Sequence, residues 1–271
     1  MTKTLEGKIA VITGGTQGLG EATARLFAER GAAGLVICGR NAGRGQTVAA
    51  ELTTLGIPTS FVRADLARVE DCQSVIAKAD EVFGKVHVLV NAAGITDRGS
   101  LLNTSPDLFD RILAVNLRAP FFLMQAAVRI MQREHIPGTI VNVLSMSAHG
   151  GQPILSAYSA SKGALATLTR NTAYALLRDR IRVNGLNIGW MDTPGEDRTQ
   201  KSDGAGPDWL AEAERRQPFG RLLKAEEVAR TIAFLSCDES GMMTGAILDF
   251  DQSVDGCYDS PPHPPLPGEP Q

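Results

Sequence analysis

The stretch Lys8-Ile9-Ala10-Val11-Ile12-Thr13-Gly14-Gly15-Thr16-Gln17-Gly18-Leu19-Gly20 decides the fold. Its apolar run reads as a buried strand and passes directly into a glycine-rich turn. The segment 21–30 that follows reads as a helix ended by Gly31. Strand, glycine turn and helix in this order open a parallel βαβ unit. Glycines let the backbone turn tightly and come close to a pyrophosphate, while the free N–H groups at the helix start face that anion. The spacing Gly14, Gly18, Gly20 is not the common G-x-G-x-x-G, yet strand, loop and helix start agree. The segment therefore predicts a dinucleotide site built on Gly14, Thr16, Gln17, Gly18, Leu19 and Gly20.

The same rhythm continues along the chain. Short apolar runs at 35–38, 59–62, 86–90, 139–143, 181–184 and 246–249 predict six further strands. Between them, amphipathic stretches predict helices at 48–55, 69–83, 106–134 (with Pro120 as a candidate break), through Tyr158 to about 178, and at 225–235. Near-continuous apolar strands alternating with helices predict a sheet covered on both faces. The expected fold is α/β, a Rossmann-like doubly wound, seven-stranded parallel sheet with helices on both faces, in a single domain over 1–258. Two segments break the pattern. The polar segment 192–217 is too long for a simple connection and predicts a substrate loop or lid. The segment 259–271, with six prolines, predicts an extension beyond the domain.

Composition narrows the function classes. The 271 residues are 43% hydrophobic and 21% charged, with a net charge of −3. That balance points away from nucleic-acid or membrane-surface partners. Cys38, Cys72, Cys237 and Cys257 form no C-x-x-C pair, and the four histidines do not cluster with them. No zinc site, other metal site or disulfide framework is expected, and a reduced, cytoplasmic chain fits. No run reaches the length of a membrane-spanning helix, and the N-terminus carries no signal-like apolar region.

Strand ends supply the remaining candidates. An acid closing strand two would accept hydrogen bonds from the ribose hydroxyls of NAD. Here Gly39 stands at that place, and Arg40 follows. A guanidinium suits a 2′-phosphate, so NADP is expected, with NAD open and a solvated surface arginine as the other reading of Arg40. Arg44 is a second candidate. Asp65-Leu66 closes strand three where an adenine edge would lie, and Asn91-Ala92-Ala93-Gly94 closes strand four with small residues that let a cofactor lie against backbone. Tyr158 and Lys162 stand four apart, so on a helix they share one face. A neighbouring cation favours the phenolate and is expected to lower the Tyr158 pKa.

With these residues in place, the chain resembles the short-chain dehydrogenase/reductase family over about residues 5–256. The resemblance rests on Thr13-Gly14-x-x-x-Gly18-x-Gly20, Asn91-Ala92-Ala93-Gly94, Asn116 in Ala114-Val115-Asn116-Leu117, Ser145 in Val143-Leu144-Ser145, and Tyr158-x-x-x-Lys162. It implies a catalytic tetrad of Asn116, Ser145, Tyr158 and Lys162. Tyr158 would exchange a proton with the substrate oxygen, and Ser145 would orient that oxygen, with Ser147 as its competitor. Lys162 would hold the nicotinamide ribose, and Asn116 would hold a water linking Lys162 to solvent. The family usually has Pro-Gly after strand six; here Ile188-Gly189-Trp190-Met191-Asp192-Thr193 stands there, with Ile188, Gly189 and Thr193 expected at the nicotinamide.

The resemblance places substrate contacts at Ser145, Tyr158, His149, Gln152, Trp190 and Asp192, with Trp209 a further candidate. These polar and indole side chains suggest a small polar, polyhydroxylated substrate such as a sugar or polyol. The runner-up is a 3-oxoacyl thioester reductase, for which Arg215 and Arg216 would supply a basic patch. A lyase or isomerase would need an added carboxylate, and a cofactor-sensing protein would be expected to lack tetrad residues. The resemblance also implies a homotetramer, or a homodimer, paired through the helical region around Asn116 and the Tyr158 helix. Phe121, Phe122, Leu123 and Met124 suit either that interface or the core.

Overall fold

The computed structural model describes residues 3–257. The first half alternates strictly: β1 (Ile9–Thr13), α1 (Gly18–Glu29), β2 (Gly34–Gly39), α2 (Ala42–Thr54), β3 (Thr59–Arg63), α3 (Val69–Phe83) and β4 (Val88–Asn91). The second half adds α4 (Pro106–Leu113), α5 (Ala119–Arg133), β5 (Thr139–Ser145), α6 (Ser156–Ala175) and β6 (Arg182–Ile188). Then come β7 (Met191–Asp192), α7 (Pro194–Ser202), α8 (Trp209–Arg215), β8 (Leu223–Lys224), α9 (Ala225–Ser236) and β9 (Ile247–Phe250). Seven strands pair in the order β3-β2-β1-β4-β5-β6-β9, all parallel. The order reverses between β1 and β4, the place where the strand C-terminal ends of a doubly wound sheet leave a crevice for ligands.

Side-chain alternation explains why both faces are covered. In β1, Ala10 and Ile12 pack with α1, α2 and α9 residues such as Phe27, Leu52 and Ile232. Val11, between them, packs on the other face with Val75 of α3 and Leu123 and Met131 of α5. Strands that bury both faces must be apolar at every position, and β1 is fully buried throughout. Helix ends follow the local chemistry. Ser105 accepts a hydrogen bond from Leu108 N–H ahead of Pro106 to start α4, and Gly84 in the left-handed region ends α3. No helix among the described residues is long and apolar enough to cross a membrane. The four cysteines are free thiols, three of them buried.

The structure departs from expectation in three places. The region 106–134 is broken upstream of Pro120, by a π-helical turn over Ala114–Arg118 that separates α4 from α5. A proline ring crowds the carbonyl four residues earlier, which for Pro120 is that of Asn116. Widening the helix there relieves the crowding, and Ala119 N–H reaches back to Ala114 instead. Next, the helix through Tyr158 stops at Ala175, short of 178. Finally, 192–217 is not an irregular loop: it carries α7 and α8, and β7 pairs with β8 at its base. Apolar periodicity could not reveal α7, because none of its residues is buried. The proline-rich segment 259–271, expected as an extension, lies outside the described residues.

Candidate active site

At the cofactor end, Gln17 caps α1 but its side chain accepts no hydrogen bond from the first-turn amides, so those donors face outward with no side-chain acceptor. Gly20 is required by proximity: a Cβ there would lie 2.3 Å from the Gly14 carbonyl oxygen. Gly39 is equally tight, since a Cβ would lie 2.7 Å from Thr16 Oγ1, so an acidic side chain at this strand end would displace Thr16. Arg40 follows, exposed. Asp65 uses one carboxylate oxygen to accept from Ala67 N–H at 3.1 Å, beside buried Leu66. Thr13 Oγ1 accepts from the N–H groups of both Ala92 and Ala93 at 3.1 Å, binding the strand-four turn to the glycine loop. Asn91 donates to Asn142 Oδ1 at 2.8 Å, and its own Oδ1 is buried without a partner. Open helix-start amides, an exposed guanidinium and small residues along the crevice are features that fit a phosphate-bearing dinucleotide.

The tetrad candidates converge at the C-terminal end of β5. Ser145 ends that strand, and the Tyr158–Lys162 face of α6 packs over it, with both side chains buried. Lys162 Nζ donates to the Val143 carbonyl at 2.8 Å and lies 5.8 Å from the centroid of the Tyr158 ring. Asn116 sits in the π turn, fully buried. Its Nδ2 donates to the Ile95 carbonyl (2.9 Å) and to Ser161 Oγ (3.2 Å), and its Oδ1 accepts from Ile95 N–H at 3.0 Å. The space a Gly94 side chain would fill is 3.5 Å from Asn116 Oδ1 and 3.6 Å from Lys162 Nζ, so glycine keeps the two polar groups accessible to each other.

One expectation is corrected here. Lys162 does not lower the Tyr158 pKa in the protein alone. Burial pushes the phenol up, a hydrogen bond with Ser145 pulls it back, and the charge of Glu196 pushes it up again. Burial also pulls the Lys162 ammonium down to about 8. Both groups share a water-poor site that disfavours charge of either sign. A phenol held above its ordinary value keeps its proton until a developing oxyanion takes it, which suits a proton donor.

The substrate candidates are more scattered. Ser147 Oγ accepts from Ser145 and donates to Gln152 Oε1 at 2.5 Å, tying Gln152 to the tetrad edge. Both ring nitrogens of His149 face carboxylates, Asp249 at 3.2 Å and Asp255 at 3.3 Å, so neither is open to a substrate hydroxyl. Asp192 pairs with Lys224 at 2.9 Å across the β7–β8 pair. Trp190 donates to Glu196 at 2.8 Å and stacks on Trp209, ring centroids 6.2 Å apart. Thr193 accepts from Glu196 N–H to start α7, and Gly18 faces it across the crevice. Ile188 ends β6 opposite Ser145, and Gly189 N–H binds the Phe250 carbonyl.

A family model described as enoyl-(acyl carrier protein) reductase matches residues 14–254. The chain belongs to the short-chain dehydrogenase/reductase family. It is 36% identical to the L-rhamnose 1-dehydrogenase (NAD(P)(+)) of a Sphingomonas species, over 92% of this chain and 96% of the relative. It is 33% identical to the NADP-dependent (R)-specific alcohol dehydrogenase of Lentilactobacillus kefiri, over 95% of this chain and 99% of the relative. A crystal structure of a short-chain type dehydrogenase/reductase from Mycobacterium marinum superposes with a TM-score of 0.84 at 29% identity, covering 92% and 96% of the two chains. Like its named relatives, this member of the family is an oxidoreductase acting on alcohol groups.

Sequence reasoning passed over Glu196 and Arg198, which α7 brings to the crevice. Glu196 influences Tyr158, and Arg198 Nη2 donates to Gln17 Oε1 at 2.7 Å. A signal was present: Thr193-Pro194-Gly195-Glu196 is a capping-box start with proline at the first helical position. Leu123 and Met124 are buried in the core, and Phe121 is 44% exposed.

Proposed function

We propose that the protein is an NADP-preferring alcohol dehydrogenase or carbonyl reductase for a small polar substrate such as a sugar or polyol. The observation that carries this reading is the burial of Ser145, Tyr158 and Lys162 together at the end of β5, beside the glycine loop. When bound, the nicotinamide cofactor supplies or accepts the hydride. Tyr158 gives its proton to the substrate oxygen in reduction and takes it back in oxidation. Ser145 donates a hydrogen bond that orients the same oxygen. Lys162 places positive charge near the phenolate that remains and would hold a ribose hydroxyl of the bound cofactor. Asn116, across the Gly94 gap from Lys162, leads the proton outward through water. Gly14, Gly18 and Gly20 hold the pyrophosphate, Arg40 with Arg44 reads the 2′-phosphate, and Asp65, Asn91 and Ile188 border the remaining cofactor surface.

Two features support the substrate class. Gln152, bonded to Ser147 beside Ser145, and the exposed indole of Trp190 suit hydroxyl groups and a sugar-ring face. One relative is named for L-rhamnose oxidation. Residues 1–258 form the catalytic domain in this reading, and α7 and α8 cap its substrate side. The chain would work in the cytoplasm as a homotetramer or homodimer. A groove of about 890 Å³ along the α4, α5 and α6 surface, lined by Leu117, Phe121, Phe122 and Leu168, is the proposed pairing face.

The reading is tested by titrating the protein and Arg40→Asp with NADPH and NADH at one salt concentration, then assaying sugars, polyols and apolar ketones. NADPH is expected to bind about tenfold or more tightly than NADH, with the preference lost in the variant. An unchanged ratio removes Arg40 as the phosphate reader. Activity confined to apolar ketones removes the sugar or polyol assignment.

A further inference from the structure

We propose that Arg198 of α7 is a ligand of a cofactor phosphate, a role it shares with Arg44 of α2. The proposal rests on the dinucleotide reading above. Gln17 Oε1 accepts from Arg198 Nη2 at 2.7 Å and also from Arg44 Nη1. The two guanidiniums come from separate segments, α7 and the first turn of α2, and meet on one neutral amide oxygen. Cations sharing an acceptor repel each other, and a neutral amide offsets little of that repulsion.

Neither arginine enters an ion pair among the described residues, and Asp197 on the same helix offsets the Arg198 charge only through space. The acids of α7 are engaged elsewhere. Glu196 holds Trp190 and Gln200, and Asp197 holds Lys201 and Trp209. At the same place, the first-turn amides of α1 lack a side-chain acceptor. Two forked cations beside open helix-start amides suit a phosphate, which accepts from a guanidinium through two parallel hydrogen bonds. Gln17 stands where such a group would compete for both arginines.

The attachment of α7 explains why this contact would matter. The helix buries none of its residues, so polar contacts rather than core packing hold it. One end is anchored by the Asp203–Arg98 ion pair, Nε to Oδ2 2.8 Å, on the β4–α4 connection. The other end lies against the glycine loop, where Thr193 faces Gly18 and Arg198 reaches Gln17. The first anchor is an ion pair within the protein; the second gains a directly paired anion only when one arrives.

The chain has two tryptophans, and both donate their indole N–H to α7, so intrinsic fluorescence reports on this helix. Binding of NADP+ and NAD+ to the intact protein, to Arg198→Ala and to Asp203→Asn is measured by calorimetry, with tryptophan emission followed in the same titrations. Arg198→Ala is expected to weaken binding about tenfold and to reduce the tryptophan response at saturation. Loss for NADP+ alone assigns Arg198 to the 2′-phosphate, and equal loss for both assigns it to the pyrophosphate; either upholds the proposal. Unchanged affinity for both dinucleotides overturns it. Equal weakening by Asp203→Asn also overturns it, because loosening α7 would then suffice without any loss of cationic charge. If the unaltered protein binds neither dinucleotide, the proposed function itself fails, an outcome distinct from failure of Arg198 alone.

Discussion

Replacing Lys162 with methionine is expected to make the cofactor-free protein more stable at neutral pH while destroying its activity. The Lys162 ammonium is buried, is bonded to a single carbonyl, and has its pKa pulled from 10.5 to about 8. A shift of that size corresponds to about 3 kcal/mol for holding the charge inside the fold below pH 8. Methionine fills a similar volume without charge, although it leaves the Val143 carbonyl short of one donor, at about 1 kcal/mol. The net gain is about 2 kcal/mol at pH 7, or about 4–8 °C in Tm for a chain of this size.

The pH dependence has a definite sign. Between about pH 8 and 10.5 the unfolded chain keeps a proton on Lys162 that the folded chain has released. Stability of the unaltered protein therefore rises with pH through that window relative to the variant. Urea unfolding of both proteins without cofactor, at pH 7 and pH 10, measures the difference. The advantage of Lys162→Met should be largest at pH 7 and mostly gone at pH 10. A variant that is less stable at pH 7, or a gap that does not narrow with pH, would refute the view that burial of the ammonium sets the cost.

Two further outcomes follow from the site. Tyr158→Phe should lower turnover by a factor of order 10² to 10⁴ with dinucleotide affinity unchanged; normal turnover would remove Tyr158 as the proton donor. Glu196→Gln keeps an acceptor for the Trp190 indole but removes the charge that adds to burial in holding the Tyr158 phenol up. The pH at which alcohol oxidation reaches half its plateau should therefore move lower, and an unmoved pH profile would show that Glu196 does not act on Tyr158.

The fold was legible because a strand buried on both faces must be apolar at every position, a pattern that survives without any tertiary knowledge. The glycine turn was legible for a similar reason: where a Cβ at Gly20 would strike the Gly14 carbonyl, only one residue fits. The helix α7 was not, because it faces the core with nothing and so carries no apolar period. The resemblance places Asp192 and His149 among the substrate contacts, and no local pattern showed that in the fold they pair with residues distant in the chain, Lys224 in one case and Asp249 and Asp255 in the other.

From the sequence alone come the parallel sheet, the glycine turn and the shared helix face of Tyr158 and Lys162, since these depend on local periodicity, steric need and spacing along one helix, while the resemblance they carry supplied the family and the other tetrad candidates. The folded chain alone decides the electrostatics. Whether Tyr158 is pushed up or down depends on how much water the packing around β5 and α6 excludes and on which charges α7 brings near it. Likewise, Arg44 and Arg198 are 154 positions apart in the chain, and only the closure of α7 over the glycine loop brings them to one Gln17 oxygen. Burial and long-range proximity are properties of the assembled core, and no local stretch of sequence encodes them.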